Sequence, residues 1–414
     1  MHDLNGNLAV VWGLFAANAW PVPFENVIPP EREELLRRFV DAAHARGIKV
    51  LAGAGIYSWG FDEVIRKVPG SGAGHAKAMC AHSDIAWDWQ RRTLDFQMDP
   101  RWGLDGISMQ SADLGRCECE RCKRLSASAH HRLLLVRCAQ HVRAARPEWI
   151  IGQAAWGMRV DEAEQLAHVQ EISKYLDYMI EVRERSARGE AGRRATLIRS
   201  LHCAFGSVGG IFVEPPPRWD RLRWFVPCGL TAANNLKRLH ADGGQAAEHY
   251  VRPFANPAEE VSWRTGARVL SAPDTEPMAA LTEAVVAVYG VSGRAAEDLA
   301  DWYRRAEEAY FTRTLFKTDM GPLQVEVTKG VPPNEPGYPH YLMAERFPAE
   351  QFPGYKRDLE ALREELPRIP LGRPEAARRT LACIDGTLAD LAAVECGAFS
   401  RFETRPDAKE PKPA

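Results

Sequence analysis

From the start of the chain to about residue 240, apolar runs of strand length alternate with amphipathic stretches of helical period. The runs are Leu8 to Phe15, Lys49 to Tyr57, Gly106 to Ala112, Trp149 to Trp156, Leu176 to Val182, Leu197 to Phe205 and Phe225 to Thr231. A helix that crosses between neighbouring strands must cover the sheet face it spans, so this alternation predicts parallel βαβ units. The helix before the second run is the clearest. Pro30 fits its first turn, Leu35, Leu36, Phe39, Val40 and Ala43 form one apolar stripe, and Gly47 suits its C-terminal cap. The segment from Ser126 to Arg146 repeats the pattern, and Pro147 stops it before the next strand.

These runs predict seven strands, one short of a closed (β/α)₈ TIM-type barrel. The expectation is a barrel that lacks or substitutes its first strand, with the missing one upstream of Met1 or the closure unconventional. An open doubly wound sheet is the alternative, although no glycine-rich phosphate turn follows any of the strands. Beyond about residue 265 the pattern turns helical. Thr275 to Tyr289 ends at Gly290, Gly293 to Tyr310 begins after the capping residue Ser292, and Arg357 to Leu366 and Glu375 to Phe399 follow. Residues 318 to 354, rich in Pro and Gly, read as an ordered surface loop, and Arg405 to Ala414 as a frayed tail. The expected division is a barrel over residues 1–265 and a helical C-terminal domain over residues 266–414.

Composition narrows the function classes. Apolar residues at 45% and charged residues at 26% suit a globular protein with a sizeable core. The 53 basic and 55 acidic residues nearly cancel, so there is no broad attraction for nucleic acid or an anionic membrane. No apolar stretch approaches the roughly 18 residues needed to span a bilayer, and no leader pattern is visible. The chain reads as soluble and cytoplasmic, with homo-oligomerisation left open. Nine scattered cysteines, an odd number, argue for reduced thiols over a disulfide scaffold.

Parallel barrels keep their working residues just past the C-terminal ends of strands. Asp113 falls there, after the third run, where a carboxylate can act as proton donor, base or ligand to sugar hydroxyls. The alternative is a turn-capping aspartate. On the run Leu176 to Val182, the even-numbered residues are uniformly apolar and are expected to pack on helices. That turns Asp177, Met179 and Glu181 toward the barrel axis. Glu181 and Asp113 then offer the two carboxyls that glycoside hydrolysis needs, with Arg183 and Glu184 competing for the same ground. A surface charge cluster around Arg183 and Glu184 is the competing explanation.

Other strand ends carry groups suited to sugars: Trp12, Tyr57, Trp59, Gln153, Trp156, His202, Asn234 and Asn235. Flat rings stack on the apolar faces of pyranoses, and amides or imidazole fix hydroxyls. Each taken singly is more often a packing residue. Cys117, Cys119 and Cys122 have ligand-like spacing, and Cys138, His130 or His131 are the candidates to complete a tetrahedral zinc site. Against that stands a bracing role for reduced thiols in the turn beside Asp113. Cys80 lies apart, between His75 and His82, next to a glycine-rich loop that reads as a lid. The reaction itself calls for no cofactor.

Ser108 to Asp113, followed by Cys117-Glu-Cys-Glu-Arg-Cys122, resembles a pattern in an uncharacterised alpha-glucuronidase-like group of (β/α)₈ proteins. That group is related to glycoside hydrolase family 67 and, more distantly, to family 20. The resemblance covers residues 79 to 125 and implies a sugar-processing barrel followed by a helical domain. Family 20 enzymes carry an Asp-Glu pair at the end of the fourth strand, and the position matching that Asp is Asp113. Leu114 stands where the acid belongs, so the resemblance does not imply substrate-assisted chemistry. The expected function is a glycoside hydrolase using Asp113 and Glu181. A non-catalytic carbohydrate-binding barrel and a metal-dependent hydrolase are the alternatives.

Overall fold

The computed structural model describes residues 6–11, 30–56, 61–74, 78–110, 116–154, 158, 163–180, 193–208, 225–248, 256–314, 316–317, 326–327 and 349–396. Among them the strands β1 (Leu8–Val11), β2 (Lys49–Gly55), β3 (Gly106–Gln110), β4 (Ile150–Ala154), β5 (Tyr178–Ile180), β6 (Ala204–Val208) and β7 (Ala246–Glu248) form one sheet in sequence order. The pairs from β1 to β6 are all parallel. This is the α/β architecture that the alternating pattern predicts, with the sheet curled like part of a TIM-type barrel.

The early crossover helices follow their sequence signals. Helix α1 (Pro30–His44) starts on its proline, and Gly47 beyond it has a φ of 70°, a left-handed turn that a side chain would strain. Short α2 (Asp62–Lys67) and then α3 (Asp84–Gln97) follow β2. Ser126 caps α4 (Ala127–Ala145), its hydroxyl accepting from the Ala129 N–H at 3.2 Å. Helices α5 (Ala163–Ser173) and α6 (Arg193–Arg199) precede β5 and β6.

By contacts the chain divides into two compact units, residues 1–206 with 242–246, and residues 207–241 with 247–414. In the first, Val50, Leu51, Ile107, Met109, Ile151 and Met179 of the sheet are fully buried, as are Leu135, Val169 and Ile172 of its helices. Each such side chain contributes about 1.5–3 kcal/mol relative to exposure. Gly152 permits a close approach in this layer, because a Cβ there would stand 2.0 Å from the Tyr178 ring.

The second unit contains α7 (Gly229–Ala241), α8 (Pro257–Ser271), α9 (Pro277–Tyr289), α10 (Arg294–Thr314), α11 (Phe352–Glu365) and α12 (Pro374–Glu395). Phe225, Leu281, Tyr289, Trp302, Leu359 and Ile384 belong to its core. Tyr289 Oη lies 2.6 Å from both Tyr303 Oη and Thr380 Oγ1, so three buried hydroxyls partner one another. Among the described residues no helix is long and apolar enough to cross a membrane.

Two strand expectations are corrected. Leu197 to Phe205 is the end of α6, a turn, and then β6 from Ala204. Phe225 to Thr231 is not a strand: Phe225 and Val226 enter the helical core, and α7 begins at Gly229. Apolar character there reflects burial among helices, which a short run cannot distinguish from burial in a sheet. The strand that follows is Ala246–Glu248, a stretch with little β propensity of its own. Most of residues 318–354 and all of the 405–414 tail lie outside the described residues.

Candidate metal centre

Two loops of the first unit come together beyond the C-terminal ends of β2 and β3. One leads from α2 into α3 and carries Cys80; the other leads from β3 into α4 and carries Cys117, Cys119 and Cys122. The four Sγ atoms lie within 4.8 Å of one another. Cys80 Sγ is 3.6 Å from Cys119 Sγ and 3.7 Å from Cys122 Sγ, and all four thiols are reduced. Three of the four residues are buried, and Cys119 is half-buried.

Backbone contacts bring the loops together. Gly72 and Met79 form an antiparallel bridge, and the Cys80 N–H donates to Ser71 O at 2.8 Å. The Glu118 N–H donates to Ala73 O at 2.9 Å, tying the cysteine-rich loop to the glycine-rich one. From α4, His130 Nε2 donates to Met79 O at 3.1 Å, next to Cys80. Burial pulls the His130 pKa down to about 4, so the ring makes this contact as a neutral donor.

The thiols are not equivalent. Burial pushes the Cys117 pKa up to about 11 and holds Cys122 higher still. Burial also acts upward on Cys119, but hydrogen bonds from the Cys122 and Arg121 N–H groups and the neighbouring thiols bring it down to about 7. The Cys122 N–H stands 3.4 Å from Cys119 Sγ. An amide aimed at sulfur favours the thiolate, which is the metal-binding form.

The fourth cysteine is therefore Cys80 and not the predicted Cys138, His130 or His131. Cys138 is buried in α4 outside the cluster, its thiol pushed up to about 12 by burial. His131 is buried, with a pKa drawn down to about 3, and its neutral Nε2 accepts from the Gln153 amide. Chain separation hid Cys80; the available signal was that its loop and the other cysteines follow adjacent strands.

The remaining predicted residues divide. Asp113, Glu181, Trp12, Tyr57, Trp59, Trp156 and Arg183 lie outside the described residues. Gln153 is corrected as a sugar ligand: it is fully buried, its amide engaged with His131 of α4. His202 is corrected as well, since it precedes β6 at the edge where strands begin, with its N–H donating to Ser173 Oγ at 3.1 Å. Asn234 and Asn235 sit inside α7, at no strand end, and Asn235 is buried with its Oδ1 accepting from Arg238.

The facing assigned to β5 is also reversed. Met179 is in register with Gln153, whose side chain turns toward α4, and Asp177 pairs with Arg143 of α4 at 2.7 Å. Tyr178 covers Gly152 on the opposite face. The odd-numbered positions of this strand thus face the helices and not the barrel axis, so alternation does not turn Glu181 toward that axis. Its place one residue past Ile180 remains.

No family model matches the chain, and no curated protein matches it. Among solved structures, the chain is similar to one titled "PhdJ bound to substrate intermediate", at 12% identity and a TM-score of 0.37, over 93% of this chain and 84% of that one.

Proposed function

We propose that the chain is a glycoside hydrolase of (β/α)-barrel type with a helical C-terminal domain, acting on a glycan or glycoside through Asp113 and a carboxylate from the segment after β5, Glu181 or Glu184. The carrying observation is a register. Gln110, Ala154 and Ile180 stand in one row across three parallel strands, so the segments bearing Asp113 and Glu181 leave the sheet at the same edge. Two strand spacings separate the strand ends from which these segments start by about 10 Å, the scale on which paired glycosidase carboxyls work.

Trp12, Tyr57 and Trp156 follow the ends of β1, β2 and β4 in the chain, which supports sugar stacking at that edge. The resemblance to the alpha-glucuronidase-like group points the same way. Leu114 favours a second reading, a barrel that binds carbohydrate without cleaving it. Metal-dependent hydrolysis is the weaker reading, because four converging thiols would fill a tetrahedral ion and leave no position for water.

The test is a panel of chromogenic glycosides and uronides assayed with the wild type and with Asp113→Asn, Glu181→Gln and Glu184→Gln. The expected result is turnover by the wild type, at least a hundredfold loss in Asp113→Asn and a comparable loss in one glutamate variant. Anomeric analysis of the product then allots the roles. Turnover that survives Asp113→Asn removes that residue from the mechanism. Sugar binding without turnover transfers the proposal to the binding reading.

A further inference from the structure

We infer that Cys80, Cys117, Cys119 and Cys122 form a closed structural zinc site that fastens the loop after β3 to the loop preceding α3.

The geometry of the sulfurs is the starting point. A zinc ion bound to thiolates at about 2.3 Å sets the edges of its tetrahedron at about 3.8 Å. The separations of Cys80 Sγ from Cys119 Sγ and Cys122 Sγ, 3.6 and 3.7 Å, match that edge, and the whole set fits within 4.8 Å. Both separations are far beyond a disulfide bond of about 2.05 Å. An iron–sulfur cluster needs its irons between the cysteines and forces them further apart than this.

The chemistry agrees. Four soft sulfur donors favour zinc over magnesium and calcium, which require oxygen. The Cys119–Cys122 pair is a two-residue chelate whose own amide, at 3.4 Å, points at Cys119 Sγ. A neutral thiol is a weak acceptor, whereas a zinc-bound thiolate makes full use of such donors. Binding releases the thiol protons to solvent and leaves four Zn–S bonds, with no change in oxidation state.

The placement gives the site its role. Its two loops follow neighbouring strands, and Cys117 comes four residues after Asp113 in the chain. A metal there fixes the downstream end of the segment carrying Asp113, while Gln110 of β3 fixes the upstream end. With four protein ligands the ion has no open position and takes no part in catalysis. The inference is independent of what Asp113 does.

The experiment uses the full chain purified under reducing conditions. Elemental analysis is expected to find one zinc per molecule. Exchange with Co²⁺ is expected to give the intense visible bands and sulfur-to-metal charge transfer of a tetrahedral thiolate site. Cys80→Ser and Cys119→Ser should each weaken Co²⁺ binding at least a hundredfold, and Cys138→Ser should leave it unchanged. Should a cluster variant fail to fold, the wild-type spectrum still decides, because tetrathiolate cobalt has a stronger charge-transfer band than a site with fewer sulfurs. Reduced wild-type protein that takes up neither zinc nor cobalt overturns the inference. So does Cys80→Ser with undiminished affinity, or peptide mapping that finds the four thiols paired as disulfides in freshly isolated protein.

Discussion

Where β3 and β5 begin, an aspartate precedes each strand and meets its neighbour in the same way. Asp105 accepts from the Val50 N–H of β2 at 2.8 Å, and Asp177 accepts from the Ile151 N–H of β4 at 2.8 Å. Each carboxylate is then paired with a base from a covering helix, His44 of α1 for Asp105 and Arg143 of α4 for Asp177. Lys49 adds a third partner to Asp105. Beyond the ends of β2 and β3, by contrast, the described side chains include four thiols that face one another. Carboxylates at the entry edge have their hydrogen-bonding capacity taken up by the fold, so residue type alone says little about function. The edge on which an acid stands says more.

A carboxylate buried more deeply than either aspartate sharpens this contrast the most. Glu307 of α10 is buried, and its two oxygens accept from the Leu230 and Thr231 N–H groups in the first turn of α7, at 2.9 and 2.6 Å. It thus supplies acceptors from another helix for the first-turn N–H groups of α7. Burial raises its pKa from 4.5 to about 7, against the pull of those amides. The folded state therefore holds the proton more tightly than the unfolded one. Stability from this group is full below about pH 4.5 and is lost as pH rises through 7, by about 3 kcal/mol. Chemical denaturation between pH 4.5 and 7.5 is expected to show that decline in the wild type and not in Glu307→Gln. Parallel curves would mean that the carboxyl titrates alike in both states.

Asp105→Ala comes next, at about 2–3 kcal/mol at pH 7, because it leaves the buried Val50 N–H without its acceptor and takes the carboxylate away from Lys49 and His44. Burial pushes the Asp105 carboxyl up, but the Val50 amide, His44 and Lys49 outweigh it and hold the pKa below the usual carboxylate value. The stabilisation is present above the unfolded pKa and is lost as pH falls through the lowered one. Wild type and variant should thus converge in strong acid, and any glycoside turnover that the wild type shows is expected to be unchanged per folded molecule at pH 7. A loss of activity without loss of stability would break the contrast between the edges.

Much of the sheet was legible because β2, β3 and β4 are central strands with near-continuous apolar runs, and because Pro30, Gly47 and Ser126 mark helix ends by backbone chemistry alone. The misplacements have a common cause. Phe225, Val226 and Ala246–Glu248 take their structure from tertiary packing, which overrides a weak local pattern. The site was legible in kind, as cysteines at ligand spacing. Its fourth member was hidden because only the parallel adjacency of β2 and β3 brings Cys80 alongside the other three. On β5 the periodicity was readable but its facing was not, since a period of two leaves the choice of side to the neighbouring strand.

Asp177→Ala should cost less, about 1–2 kcal/mol. The side chain is 46% exposed and its Arg143 partner 39%, so the ion pair adds little and the Ile151 N–H carries most of the effect. Thermal denaturation of Asp177→Ala beside Asp105→Ala measures that difference. Equal losses would show that the shared backbone contact, and not the additional partners, sets the contribution of both residues.

The smallest effect is expected where the apolar pattern was read too broadly. At 100° per residue, Leu36, Val40 and Ala43 of α1 fall within about 60° of arc, and all three are buried. Leu35 and Phe39 lie to one side of that arc and are 61% and 44% exposed. An exposed apolar side chain that touches no core contributes little, so Leu35→Lys and Phe39→Lys should each change the unfolding free energy by less than about 0.5 kcal/mol. Leu36→Ala, at 3% exposure, should cost about 2–5 kcal/mol through the cavity it leaves. If Leu35→Lys destabilised as much as Leu36→Ala, the five-residue stripe would be a true packing face, and α1 would bury a wider surface than its accessible areas indicate.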